Sequence, residues 1–265
     1  MALFEFDLFP IEDITPWGEP GRQSLSWFAL TDGFFRVVVG EQILFRYTPE
    51  ILAHWSEQAR DASYQIAAFA RDMLGSVAAG VAALPDFVER LAADRELLAR
   101  LERQPCPPDE EDSGDAKDRR YAAWRWLGER SPWTSYLVAQ PRLSFVRIGD
   151  EVRIHWDNRD RVIDGIPVWT AQYGVHALPV EVFLSECQDF SARLLGEMDA
   201  RISRIEAGTA RPRVEVEIFS LREQQESWRK ELTSYFEASA PDIPWEQAEM
   251  ALRVVAKTRG IELPG

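Results

Sequence analysis

Two places in the chain put a glycine and an acid between runs of apolar residues: Val39-Gly40-Glu41-Gln42-Ile43 and Ile148-Gly149-Asp150-Glu151-Val152. Glycine reaches positive φ without cost, and a two-residue connection of this kind joins only antiparallel strands. Each pair therefore predicts a hairpin, and the likeness of the two admits an ancient duplication. The reading extends outward from them. Leu3 to Leu8, Leu25 to Leu30, Phe34 to Val39 and Ile43 to Tyr47 read as one meander, with Thr31-Asp32-Gly33 as a turn in which Gly33 takes positive φ. Leu143 to Ile148, Val152 to Trp156 and Ile166 to Tyr173, the last after Asp164-Gly165, read as a second.

Each meander runs into a helix with a proline near its start, Pro49 or Pro179. Leu52, Trp55, Ala59, Ala62, Ile66, Phe69 and Met73 recur at helical spacing and predict one long core-facing stripe. Pro85 restarts a helix to about Arg103. Phe183, Cys187, Phe190, Leu194, Met198, Ile202 and Ile205 mark another that stops at Gly208. Ser220-Leu221-Arg222-Glu223 reads as a capping box for a helix burying Trp228, Leu232 and Phe236, and a last helix carries Trp245, Ala248, Leu252 and Val255. Prolines 105, 107 and 108 followed by acids predict an exposed, flexible acidic loop at about 105–116. The expectation is an α+β fold, two antiparallel β-meanders packed against several α-helices, in a single domain over 1–265.

Thirty Lys and Arg against 44 Asp and Glu leave a net charge of −14, which repels a phosphate backbone and argues against nucleic acid as a partner. The acidic start is the reverse of an export signal, and the uncharged stretches, Met73 to Pro85 among them, are shorter than the roughly 20 residues a membrane helix needs. Two cysteines, Cys106 and Cys187, form no disulfide framework, so a cytoplasmic setting is expected.

Chemistry-bearing motifs are sparse. His54, His155 and His176 are the only histidines, with no helical pair among them, and the phosphate-loop, dinucleotide and nucleophile-elbow glycine patterns are missing. Asp157 to Gly165 has acids at the wrong positions for a calcium loop and carries Arg159 and Arg161, so it reads as a polar hairpin loop. No metal and no cofactor is expected. Lys117 to Arg130 interleaves bases with Tyr121, Trp124 and Trp126, and its simplest reading is a helix that packs its tryptophans on a neighbour. The ten tryptophans are the unusual feature. Trp55, Trp228 and Trp245 sit on helical stripes and read as core, whereas Trp17, Trp27, Trp156 and Trp169 lie in loop or strand contexts and are the candidates for a binding groove.

Thr15-Pro16-Trp17-Gly18, the segment Trp27-Phe28-Ala29-Leu30-Thr31-Asp32-Gly33-Phe34, His155-Trp156-Asp157, and Asp164-Gly165-Ile166-Pro167-Val168-Trp169 with the following Leu178-Pro179-Val180 resemble the bacterial domain-of-unknown-function family 5984. The match runs from the N-terminus to about Leu195. It implies a bacterial protein and brings no activity or catalytic residue with it.

The first functional expectation is an acidic protein-binding protein of the immunity or antitoxin type, capping a basic effector such as a toxin through charge steering and aromatic anchors. The alternative is a carboxylate-based hydrolase or small-ligand enzyme, with Asp32, His155 and Asp157 as its candidate set.

Overall fold

A computed structural model describes residues 2–19, 21–103 and 114–263. The expected acidic loop lies outside these except at 114–116, and so does Cys106. Strand β1 (Phe4–Leu8) pairs antiparallel with β2 (Asp32–Val39), Phe4 opposite Val37 and Leu8 opposite Gly33. A turn with Gly40 at φ 58° leads into β3 (Gln42–Leu44). Helix α1 (Pro49–Trp55) follows, capped by Thr48, whose hydroxyl accepts the Ile51 N–H. Next come β4 (Ser63–Gln65), which pairs with the start of β2, then α2 (Ile66–Gly75), α3 (Val77–Val81), α4 (Asp86–Ala93), α5 (Arg95–Arg103) and α6 (Gly114–Gly128). The second sheet is β5 (Leu143–Ile148), β6 (Glu151–Asp157) and, beyond the small hairpin β7 (Val162–Ile163) and β8 (Ile166–Pro167), β9 (Tyr173–Pro179). Three helices complete the chain: α7 (Val180–Glu206), α8 (Ile218–Glu237) and α9 (Trp245–Thr258). The architecture is α+β with antiparallel sheets, and both predicted glycine-acid hairpins form, Gly149 matching Gly40 at φ 59°.

Several expectations need correction. Leu25 to Leu30 is no strand. Ser26 Oγ accepts the Ala29 N–H and Thr31 Oγ1 donates to the Phe28 carbonyl, bonds that curl the chain into a 3-10 turn at Ala29–Thr31. Asp32-Gly33 is accordingly the extended entry to β2 and not a positive-φ turn; Gly33 is needed because a Cβ there would lie 2.4 Å from the Asp7 carbonyl oxygen. The stripe from Leu52 to Met73 is two helices. Ser56 adopts φ 58° and ends α1, and Asp61 is drawn between Arg36 (2.5 Å) and Arg46 (2.7 Å), which lays β4 against β2. Asp94 likewise splits the helix expected after Pro85, and its carboxylate caps α5 through the Leu97 N–H. The expected capping box at Ser220 falls inside α8, two residues past the helix start.

The segment expected as a strand over 166–173 does something else. Val168 O accepts the Thr48 N–H (3.0 Å) and Thr170 N–H donates to Arg46 O (2.8 Å), so it ties the second sheet to the link between β3 and α1. The larger apolar cluster draws on both sheets, on α2 and on the α7 stripe, whose residues Phe183, Cys187, Phe190, Leu194, Met198 and Ile202 are buried as their spacing predicts. A smaller cluster joins α4, α5, α6 and α9 to the other face of β5 through Val146. In it Trp126 is fully buried, and Arg130, 2 % exposed, lies over the rings of Trp126 and Trp245. Among the described residues no helix is long and apolar enough to cross a membrane.

Candidate functional site

β1 is the outer strand of its sheet, and α7 runs along its free side. In an antiparallel pair, alternate residues turn their backbone groups toward the partner strand. The Val38 N–H donates to Leu3 O (2.8 Å) and the Phe9 N–H to Asp32 O (2.9 Å), so within β1 the backbone groups of Glu5 and Asp7 face β2 and those of Phe4, Phe6 and Leu8 face outward, while just beyond its ends the Leu3 N–H and Phe9 O turn to α7. An unpaired edge of this kind invites another strand unless something covers it.

Side chains of α7 cover part of it. Glu186 accepts the Leu3 N–H (2.7 Å), Arg193 donates to Phe4 O (2.5 Å), and Arg201 donates to Phe9 O and to Leu30 O (3.0 Å). These residues flank the apolar stripe that anchors α7 in the core, so the helix cannot turn without withdrawing them. Between Arg193 and Arg201, beside Phe6 and Leu8, the edge stays open into a groove of about 770 Å³, where Gly196 of α7 contributes no side chain. The 3-10 turn Ile11–Asp13 and the residues following α7, Thr209 and Ala210, wall one end, and Arg213 Nε donates to Glu12 O (2.7 Å) to hold that end together.

Three arginines, Arg193, Arg201 and Arg204, and three acids, Asp7, Glu12 and Glu197, line the groove, and Asp7 is paired with Arg36. Arg201 is 4 % exposed, and its Nε is buried with no hydrogen-bond partner among the described residues. Burial, aided by the nearby Arg204 charge, pulls the Arg201 guanidinium down to about 10, which leaves it protonated at neutral pH. Glu197 and Glu12 act on it through space, but among the described residues neither forms an ion pair with it. Arg204 is exposed, lines the same groove and makes no ion pair or side-chain hydrogen bond among the described residues.

The four tryptophans expected to line a groove do not share one. Trp27 is fully buried, stacked on Trp228 at 4.9 Å, and donates its indole N–H to Gln225. Trp156 falls on the same face of β6 as Val152 and Ile154, so strand alternation sends it into the core against Gly174. Trp169 is buried where the two sheets are tied together, stacked on Tyr47 at 4.8 Å and donating to Ala139 O. Trp17 alone remains at the surface, 49 % exposed and edge-on to Phe28 at 5.8 Å.

The candidate hydrolytic set is not assembled either. Asp32 stands in the first sheet, His155 and Asp157 in the second. Arg159 holds the Asp157 carboxylate in a fork of 2.9 and 3.0 Å. His155 is 1 % exposed, neither ring nitrogen has a partner among the described residues, and burial with help from Arg95 and Arg153 pulls it down to about 3. Held far below its usual range and without a carboxylate partner among the described residues, the ring does not form the pair with Asp32 or Asp157 that the candidate set needs. Asp164 and Gly165, in the loop first compared with a calcium site, are both at positive φ and form the tight turn between β7 and β8. Among the described residues no three His, Cys, Asp or Glu side chains converge as a metal site would require.

The groove arginines gave no sequence signal. Arg193, Arg201 and Arg204 are spaced like any solvated flank of a long helix, and only the approach of β1 turns that flank into a wall.

The model of a family of unknown function, DUF5984, matches residues 3–251. No curated protein and no solved structure matches the chain.

Proposed function

From the premise that the chain belongs to the DUF5984 family, whose description carries no activity, we propose that it is a protein-binding protein that takes an extended segment of a partner along the open edge of β1. The observation that carries this reading is the outward-facing backbone of Phe6 and Leu8 in a groove of about 770 Å³. Added strands gain affinity from main-chain hydrogen bonds, and the groove leaves room for one beside β1. The net charge of −14 supports a basic partner, a toxin or effector among the candidates, brought in by long-range attraction.

The experiment is a selection of extended peptides from a random displayed library on the purified chain, with hydrogen exchange read on the complex. Bound peptides are expected to slow exchange at the Phe6 and Leu8 amides. Leu8→Pro removes an N–H that faces the groove and not β2, a substitution edge strands tolerate, and is expected to abolish selection while melting stays near the wild type. Binders that survive Leu8→Pro, or that protect another surface, would overturn the proposal.

A further inference from the structure

We infer that the groove receives a chain terminus: the free α-carboxylate of the partner's C-terminal residue sits on Arg201 and Arg204. The inference rests on the strand-addition reading above and names what the same groove recognises. Three observations carry it. The first is Arg201, a buried guanidinium that keeps its charge with no carboxylate paired to it among the described residues. Burying a charge without a counter-ion is costly, and an incoming anion relieves that cost. Arg204, exposed and without an ion pair among the described residues, supplies a second donor fork at the same end of the groove.

The second is shape. The open edge is short, because Glu186 and Arg193 already occupy the Leu3 and Phe4 backbone, which leaves about three residues, or roughly 10 Å, for an added strand. The third is that the groove stops. The Ile11–Asp13 turn, tied by Arg213, and Thr209 close it at the arginine end. A segment passing through would have to climb over this wall, whereas a chain that ends there meets two guanidinium groups with its terminal charge. The terminus lies at the Phe9 end of β1, so the added segment runs parallel to β1. Glu12 and Glu197 also line the groove and reach Arg201 only through space, so the two guanidinium groups keep free donors for a terminal carboxylate, which a partner of basic composition still carries.

The test uses the full chain and two matched pools of N-acetylated random pentapeptides, one ending in a free acid and the other in an amide, with binding read by competition against a fluorescent member of the free-acid pool. The free-acid pool is expected to bind at least about ten-fold more tightly, the usual worth of a charge-assisted contact. Arg204→Gln, at an exposed position, is expected to bring acid binding down toward the amide level and leave the amide pool unchanged. Arg201→Lys, which keeps the charge but loses the fork to Phe9 and Leu30, is expected to narrow the gap between the acid and amide pools, and an unchanged gap in both variants would overturn the inference. Equal binding of acid and amide pools would overturn the inference and leave strand addition standing. Amidated peptides with an internal Asp binding as well as free acids would do the same. Free-acid binding that persists in Leu8→Pro would instead overturn strand addition, and no binding by either pool would overturn both.

Discussion

Replacing His155 with Phe should change how the protein responds to acid more than how it behaves at neutral pH. In the fold the imidazole is 1 % exposed and burial, with Arg95 and Arg153 adding to it, holds it down to about 3, against 6.5 in the unfolded chain. A base whose folded value is depressed resists protonation only while folded. The unfolded chain then takes up a proton below 6.5 that the native state refuses, so stability falls as pH drops from 6.5 toward 3. Each unit is worth about 1.4 kcal/mol, and between pH 7 and pH 5 the penalty is about 2 kcal/mol. Asp72 acts in the opposite direction, since burial raises it to about 6, and it favours the fold as pH falls from 6 toward 4. Its contribution is common to both proteins and cancels in their difference. Urea unfolding at pH 7 and pH 5 is the measurement. Wild type should lose about 2 kcal/mol more than His155→Phe on acidification. At pH 7 the variant should match or exceed wild type, because neither ring nitrogen has a partner among the described residues to lose. Parallel loss in the two proteins would show that His155 titrates normally and would refute the buried, neutral imidazole.

Gly33→Ala should destabilise the fold by more than about 2 kcal/mol in a denaturant titration, since the new methyl would enter contact with the Asp7 backbone in a paired strand. Gly174→Ala should be at least as damaging and should shift the near-ultraviolet dichroism, because its Cβ would sit 2.2 Å from the Trp156 ring. Gln225→Leu should cost about 1 to 3 kcal/mol by leaving the buried Trp27 N–H and the Leu195 carbonyl without their shared partner. Cys187, buried on the α7 stripe with its thiol pushed up by burial and by Glu186, should react with a maleimide only after unfolding; prompt native labelling would show that α7 opens locally.

Local chemistry settled a good part of this protein. The α7 stripe, the stop at Gly208 and the two glycine-acid hairpins depend on spacing and on backbone freedom, which are properties of a few neighbouring residues. Those readings needed no knowledge of what lay across the fold. The stripe from Leu52 to Met73 had the right period and still misled, because the pull of Arg36 and Arg46 on Asp61 and the pairing of β4 with β2 come from elsewhere in the chain. Gly33 misled in the same way: its glycine character answers the carbonyl of Asp7, far upstream, not a local turn. The tryptophans show the limit for function. Trp27, Trp156 and Trp169 differ from Trp17 only in what tertiary packing places over them, and a ring's own sequence neighbours do not encode that. The groove is wholly a tertiary object. An edge strand, a helix flank and a turn separated by up to about 200 residues enclose it, and the charge of Arg201 becomes unusual only once those three have taken away its water.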